Sequence, residues 1–120
     1  MPHERQDKRT VISVGSIPEP ISLRKQILQS DGYEVFSTRV PQEADLLIKR
    51  RRCDVLLICY SLSDNWRKRL IENLRVNCPE GRVVLITNHP VVQTSKEADA
   101  LVYGVDGPEA LMDAVEGKAA

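Results

Sequence analysis

Five short apolar runs, separated by segments of helical period, constrain the fold of this 120-residue chain more than any other feature. The run V55-L-L-I-C is continuously apolar, which is typical of a strand buried on both faces. The other runs begin near Val11, Tyr33, Arg82 and Ala100. Because strands that alternate with helices pair in parallel through right-handed crossovers, we predict an α/β domain with three layers.

Helix signals fill the segments between these runs. The first segment starts near Ile21, after Pro18 and Pro20, and ends at Gly32, which suits the glycine that commonly follows a helix. The second and the last open near Pro41 and Pro108, and proline is favoured at the first position of a helix. The third can be capped by Ser63 or Asp64. The order of elements is therefore β-α-β-α-β-α-β-β-α, with the segment between the last two strands still to be placed.

Charge and composition exclude several classes of function. Lys and Arg together number 17, as do Asp and Glu, so a bulk attraction to nucleic acid or membrane is not expected. The apolar runs are far shorter than the roughly 18 residues that span a bilayer, and the polar N-terminus lacks a secretory signal. We expect a disordered leader over residues 1–9, a single domain over 10–117 and a cytoplasmic location.

Three cysteines, Cys53, Cys59 and Cys78, stand far apart in the sequence. No C-x-x-C motif is present, so neither thioredoxin-type chemistry nor a zinc site has its usual ligand spacing. We expect free thiols, no bound metal and no cofactor.

Two stretches resemble the receiver domain of bacterial response regulators, the CheY-like family. D54-V-L-L-I-C-Y-S-L is similar to the family's third strand, and A98-D-A-L-V-Y-G-V-D-G-P-E-A-L to its fifth strand and final helix. The resemblance, supported by G32-Y-E-V before the second strand, covers about residues 11–115. It implies a flavodoxin-like fold with strand order 2-1-3-4-5 and a non-enzymatic role in two-component signal transduction.

The resemblance also assigns positions to the phosphorylation pocket, and most are substituted. The family's acidic Mg²⁺-binding pair falls on Gly15 and Ser16, the phosphoacceptor aspartate on Cys59, and the lysine on Gly104. Thr87 alone matches the family pattern. Mg²⁺ needs oxygen ligands and usually a carboxylate, so the resemblance implies a degenerate pseudo-receiver without phosphotransfer and without a metal. Such a domain is expected to act by contact with a kinase, an output domain or a second copy.

Several features leave alternatives open. Cys59 could be a redox-active or ligand-sensing thiol, aided by the start of the third helix or by His89, or else a small buried residue. Tyr103 and Trp66 are candidate interface residues. The basic run K49-R-R-R is explained by a solvated helix end, so direct nucleic-acid binding is not expected. The segment from Thr87 to Gly104 is shorter than the resemblance implies, and its helical pattern is poor, so we predict a short or irregular fourth helix there.

Overall fold

The computed structural model describes residues 9–15, 18–50, 52–87, 98–103 and 108–117. Within these ranges, five strands and four helices follow one another. They are β1 (Thr10–Val14), α1 (Pro18–Ser30), β2 (Glu34–Thr38), α2 (Pro41–Arg50), β3 (Val55–Cys59), α3 (Asp64–Asn77), β4 (Arg82–Thr87), β5 (Ala100–Tyr103) and α4 (Pro108–Glu116).

All five strands pair in parallel in the order β2-β1-β3-β4-β5. This confirms the predicted three-layer, flavodoxin-like α/β fold with strand order 2-1-3-4-5. Two predictions fall outside the described residues: the leader, apart from Arg9, and the short or irregular helix between β4 and β5, which would occupy much of 88–97.

The sheet has a hydrophobic layer on each face because side chains alternate along every strand. Val55 and Leu57 of β3 belong to the layer that also contains residues of α1 and α4. Leu56 and Ile58 belong to the opposite layer, with residues of α2 and α3. Every residue of β3 is buried, which explains its uninterrupted apolar sequence. Full burial of each Leu or Ile contributes roughly 1.5–3 kcal/mol.

The ends of two helices follow their sequence signals. Gly32 has a φ of 92°, and its N–H donates to the Gln29 carbonyl at 3.0 Å. The next N–H, of Tyr33, reaches back to the Leu28 carbonyl at 3.1 Å, which completes the helix-ending motif. Ser63 caps α3, since its hydroxyl accepts a hydrogen bond from the Trp66 N–H at 3.3 Å.

The start of α1 lies one turn earlier than its hydrophobic pattern indicates. The pattern places the first helical residue near Ile21, but the helix begins at Pro18 and includes Pro20. Proline is tolerated there because the first backbone N–H groups of a helix have no partner within the helix. The prolines therefore open the helix and do not precede it.

Two aspartates organise the edge of the sheet where the strands begin. Asp54 accepts a hydrogen bond from the Thr10 N–H at 2.8 Å, and Asp99 accepts one from the Val83 N–H at 2.8 Å. Each carboxylate also meets an arginine, Arg52 at 3.0 Å and Arg75 at 3.2 Å. Because charge-assisted bonds to backbone N–H groups are strong, these aspartates hold the beginnings of β1 and β4 beside their neighbours.

Candidate functional site

The described candidate pocket residues meet at the carboxyl edge of the sheet. Gly15 follows β1, Cys59 ends β3 and Thr87 ends β4, and parallel strands bring these ends to one edge. The strand order reverses between β1 and β3, so Gly15 and Cys59 flank the crevice where open α/β sheets usually bind ligands. Ser16, Gly104 and also His89 lie outside the described residues.

Gly15 is buried and is held by its backbone. Its N–H donates to the Thr38 carbonyl on the neighbouring strand at 3.3 Å. The Thr38 hydroxyl in turn donates to the carboxylate of Glu43 at 2.6 Å, near the start of α2. The Glu43 carboxylate at this edge is thus bound to a neighbouring strand end, where it supports the local fold.

Cys59 is almost fully buried, with 3% of its surface exposed, yet its surroundings favour the thiolate. Burial acts to raise the pKa of the Cys59 thiol. Hydrogen bonds from the backbone N–H and hydroxyl of Ser61, and then the nearby Arg24 guanidinium, outweigh burial, so the pKa is lowered from its ordinary value. A lowered pKa and a neighbouring cation are the features that activate cysteines.

Arg24 is the residue that the sequence does not reveal, since the start of α3 and His89 are the groups expected to aid Cys59. The side-chain alternation of β3 gives the physical reason. Alternate residues of a strand point to the same face of the sheet, so Cys59 shares a face with Val55 and Leu57. That face packs against α1, and Arg24 lies on α1. The sequence shows which residues of β3 share a face with Cys59, but only the tertiary structure shows that α1 covers that face.

The remaining candidates at this edge have structural contacts. The Thr87 hydroxyl donates to the Val102 carbonyl on β5 at 3.5 Å. Tyr103 is half-buried at the end of β5. Trp66 is half-buried against the α2 and α3 layer, and the guanidinium carbon of Arg69 lies 5.2 Å from its ring centroid. Their roles as interface residues remain predictions.

The groups that the described residues bring together do not fit Mg²⁺. The ion prefers carboxylate and water oxygens in octahedral geometry. Within the described part of the chain, His, Cys, Asp and Glu form no group of three that could hold a metal. The resemblance assigns glycine, serine and cysteine to the positions where receiver domains have carboxylates.

Two described cations of the basic run at the end of α2 have acidic neighbours. The Lys49 ammonium lies 3.5 Å from the Asp45 carboxylate, and Arg52 pairs with Asp54. Both pairs agree with a solvated helix end. In the same described ranges, no helix has the length and apolar character needed to cross a membrane.

The architecture is similar to that of many solved receiver domains. A CheY-like receiver domain from Methanospirillum hungatei matches with a TM-score of 0.79 and 21% identity over 92% of this chain and 93% of that one. Chemotaxis protein CheY4 of Vibrio cholerae gives 0.80 and 17% identity over 93% and 99%. A Burkholderia pseudomallei response regulator, solved with a phosphorylated aspartic acid and a calcium ion, gives 0.77 and 17% over 90% and 66%.

Comparison at the level of sequence is sparser. No family model matches the chain. The alginate biosynthesis transcriptional regulatory protein AlgB of Pseudomonas syringae pv. tomato is 28% identical over 71 residues, 59% of this chain. The matched region spans only 16% of that regulator's length. Together with the strand order, the structural matches establish that this chain has the fold of the CheY-like receiver domains of response regulators.

Proposed function

We propose that this domain is a pseudo-receiver, a signalling module that acts through protein–protein contact and independently of aspartyl phosphorylation. One observation carries the proposal: the central strand ends in Cys59, where the family resemblance places the phosphoacceptor aspartate. A thiol cannot form an aspartyl phosphate. The sequence also has glycine, Gly104, at the position that the resemblance assigns to the family's lysine, which would contact a phosphoryl group.

The pattern of retained and substituted residues supports this proposal. Asp54 and Asp99, which belong to the two stretches that resemble receivers, make hydrogen bonds at the amino edge that the fold requires. Of the substituted positions, Gly15 and Cys59 lie at the carboxyl edge, where phosphotransfer would occur. Residues that support the fold are retained, and residues that would support the reaction are substituted. This is expected of a domain that signals through its surface and not through its chemistry.

The proposed partner is a histidine kinase, an output domain or a second copy of the domain, in the cytoplasm. We place the contact surfaces on α1 and on the face formed by β5 and α4, where Tyr103 is half-buried. The three free cysteines suit a reducing compartment. This domain does not contact nucleic acid itself; an output domain would make any such contact.

Intact-mass measurement after incubation with acetyl phosphate and Mg²⁺ tests the proposal. The wild-type chain should gain no phosphoryl group. The matched variant Cys59→Asp restores the acceptor without the acidic pair or the lysine, and it should also remain unmodified. A stable phosphoryl adduct on an aspartate of the wild-type chain would falsify phosphorylation independence. A Cys59→Asp adduct alone would show that the pocket needs only its acceptor.

A second function, a thiol-based sensor at Cys59, is favoured by the contact with Arg24. The cation and the Ser61 donors lower the pKa of the Cys59 thiol despite burial. The rate of Cys59 alkylation against pH should therefore have its midpoint below the ordinary value of 9.0. Arg24→Gln should move that midpoint upward. A midpoint at or above the ordinary value, with no response to Arg24→Gln, would remove this candidate.

A further inference from the structure

The other two cysteines meet at the opposite, amino edge of the sheet. Cys53 lies just before β3, and Cys78 ends α3, 25 positions later in the chain. The backbone N–H of Cys53 points at the sulfur of Cys78 with a separation of 3.4 Å. Nothing in their spacing predicts this approach, because it depends on the packing of α3 beside the start of β3.

The backbone around the two cysteines is tightly fixed. The Gly81 N–H donates to the Cys78 carbonyl at 2.8 Å. A Cβ atom on Gly81 would lie 2.9 Å from the Cys53 carbonyl oxygen and 3.0 Å from that of Cys78. The Cys78 N–H also donates to the Leu74 carbonyl at 2.7 Å. Gly81 therefore packs closely against the main chain of both cysteines, which keeps their backbones near each other.

The two thiols differ in their access to solvent. Cys53 is 1% exposed, and its S–H donates to the Val55 carbonyl at 3.3 Å. Cys78 is half-buried and lines an open groove of about 590 Å³, together with Cys53, Arg9 and Arg52. A small oxidant in this groove reaches Cys78 first.

We propose that Cys53 and Cys78 are a peroxide-sensitive thiol pair that closes to an intrachain disulfide. The Cys78 thiolate attacks one oxygen of a hydroperoxide, the O–O bond breaks, and an alkoxide or hydroxide leaves, so that Cys78 becomes a sulfenic acid. Cys53 then loses its proton, and its sulfur attacks the Cys78 sulfur and displaces hydroxide, which leaves as water. Two thiols are oxidised by two electrons while the hydroperoxide is reduced to an alcohol or water.

The second step is the slow one. Burial, and then the adjacent Cys78 sulfur, raise the pKa of the Cys53 thiol to about 12, so little of it is thiolate at neutral pH. Disulfide closure would tie the start of β3 to the end of α3 beside the turn into β4. This pair is separate from Cys59, so it stands whether or not the domain is a pseudo-receiver.

Peptide mapping of the folded, reduced chain after hydrogen peroxide treatment tests the proposal. An endoprotease that cuts before aspartate places each cysteine on its own peptide, 45–53, 54–63 and 64–98. We expect 45–53 linked to 64–98 in monomeric protein, with a loss of two of the three free thiols per chain. The proposal is overturned if both thiols stay reduced, over-oxidise separately, or pair with Cys59 or between chains.

Two variants keep the test decisive. Cys59→Ser should leave the linked peptide pair unchanged, because Cys59 lies at the opposite edge of the sheet. Cys78→Ser changes a half-buried side chain and should fold, and it should abolish the link and leave Cys53 reduced. Formation of a linked peptide 45–53 in Cys78→Ser would show that Cys53 has another partner, which contradicts the assignment.

Discussion

The buried thiol of Cys53 should make the domain less stable at alkaline pH. Burial raises its pKa from the ordinary 9.0 to about 12 in the folded state. Between these values the unfolded chain releases its thiol proton while the folded chain keeps it, so rising pH favours unfolding. The stabilisation is complete below pH 9 and is lost as pH approaches 12. One pH unit in this window corresponds to ~1.4 kcal/mol.

Urea unfolding at pH 8 and pH 10 in the presence of a reductant measures this effect. From Cys53 alone, the free energy of unfolding should be lower at pH 10 by ~1.4 kcal/mol. Other groups also titrate in this range, so the control is Cys53→Ala, which leaves a cavity but carries no thiol. The wild type should lose more stability between the two pH values than the variant does. Parallel losses in both proteins would refute the reasoning.

Substitutions at four further sites test the packing and the hydrogen bonds on which the fold rests, each by urea unfolding. Gly81→Ala places a Cβ against two carbonyl oxygens and should lower the free energy of unfolding by ~1–3 kcal/mol. Gly32→Ala meets open space and should lower it by ~1–2 kcal/mol through its positive φ alone. An unchanged free energy of unfolding in both variants would contradict this. Asp99→Ala removes the acceptor for the start of β4 and should cost ~1–3 kcal/mol, and Asp99→Asn, which keeps an oxygen, should cost less. Asn73→Ala removes the amide that donates to the buried Asp45 carboxylate and should cost ~1–2 kcal/mol. An unchanged free energy of unfolding in Asn73→Ala would contradict this and would mean that water replaces the amide.

Local signals in the sequence were sufficient for most of the fold. The strand that contains Cys59 is recognisable because burial on both faces demands an unbroken apolar run. Gly32 and Ser63 mark helix ends through conformational freedom and side-chain capping, which are properties of single residues. The early start of α1 was missed because Pro18 and Pro20 were interpreted as preceding the helix.

Contacts between distant elements could not be predicted in the same way. Arg24 is drawn to Cys59 by the packing of α1 on one face of the sheet, and neither residue carries a local sign of the other. Cys53 and Cys78 approach each other because α3 ends beside the start of β3. The sequence identified which residues carry unusual chemistry, but the tertiary fold decides which neighbours tune it.

The central claim is that the carboxyl edge no longer responds to phosphorylation. An amide NMR titration with Mg²⁺ and beryllofluoride, a mimic of the phosphorylated aspartate, tests it most directly. We predict that the signals of Gly15, Cys59, Thr87 and Gly104 stay in place throughout the titration. Shifts of these signals at low millimolar ligand would show that the pocket still binds the metal or the phosphoryl mimic, and would contradict the pseudo-receiver account.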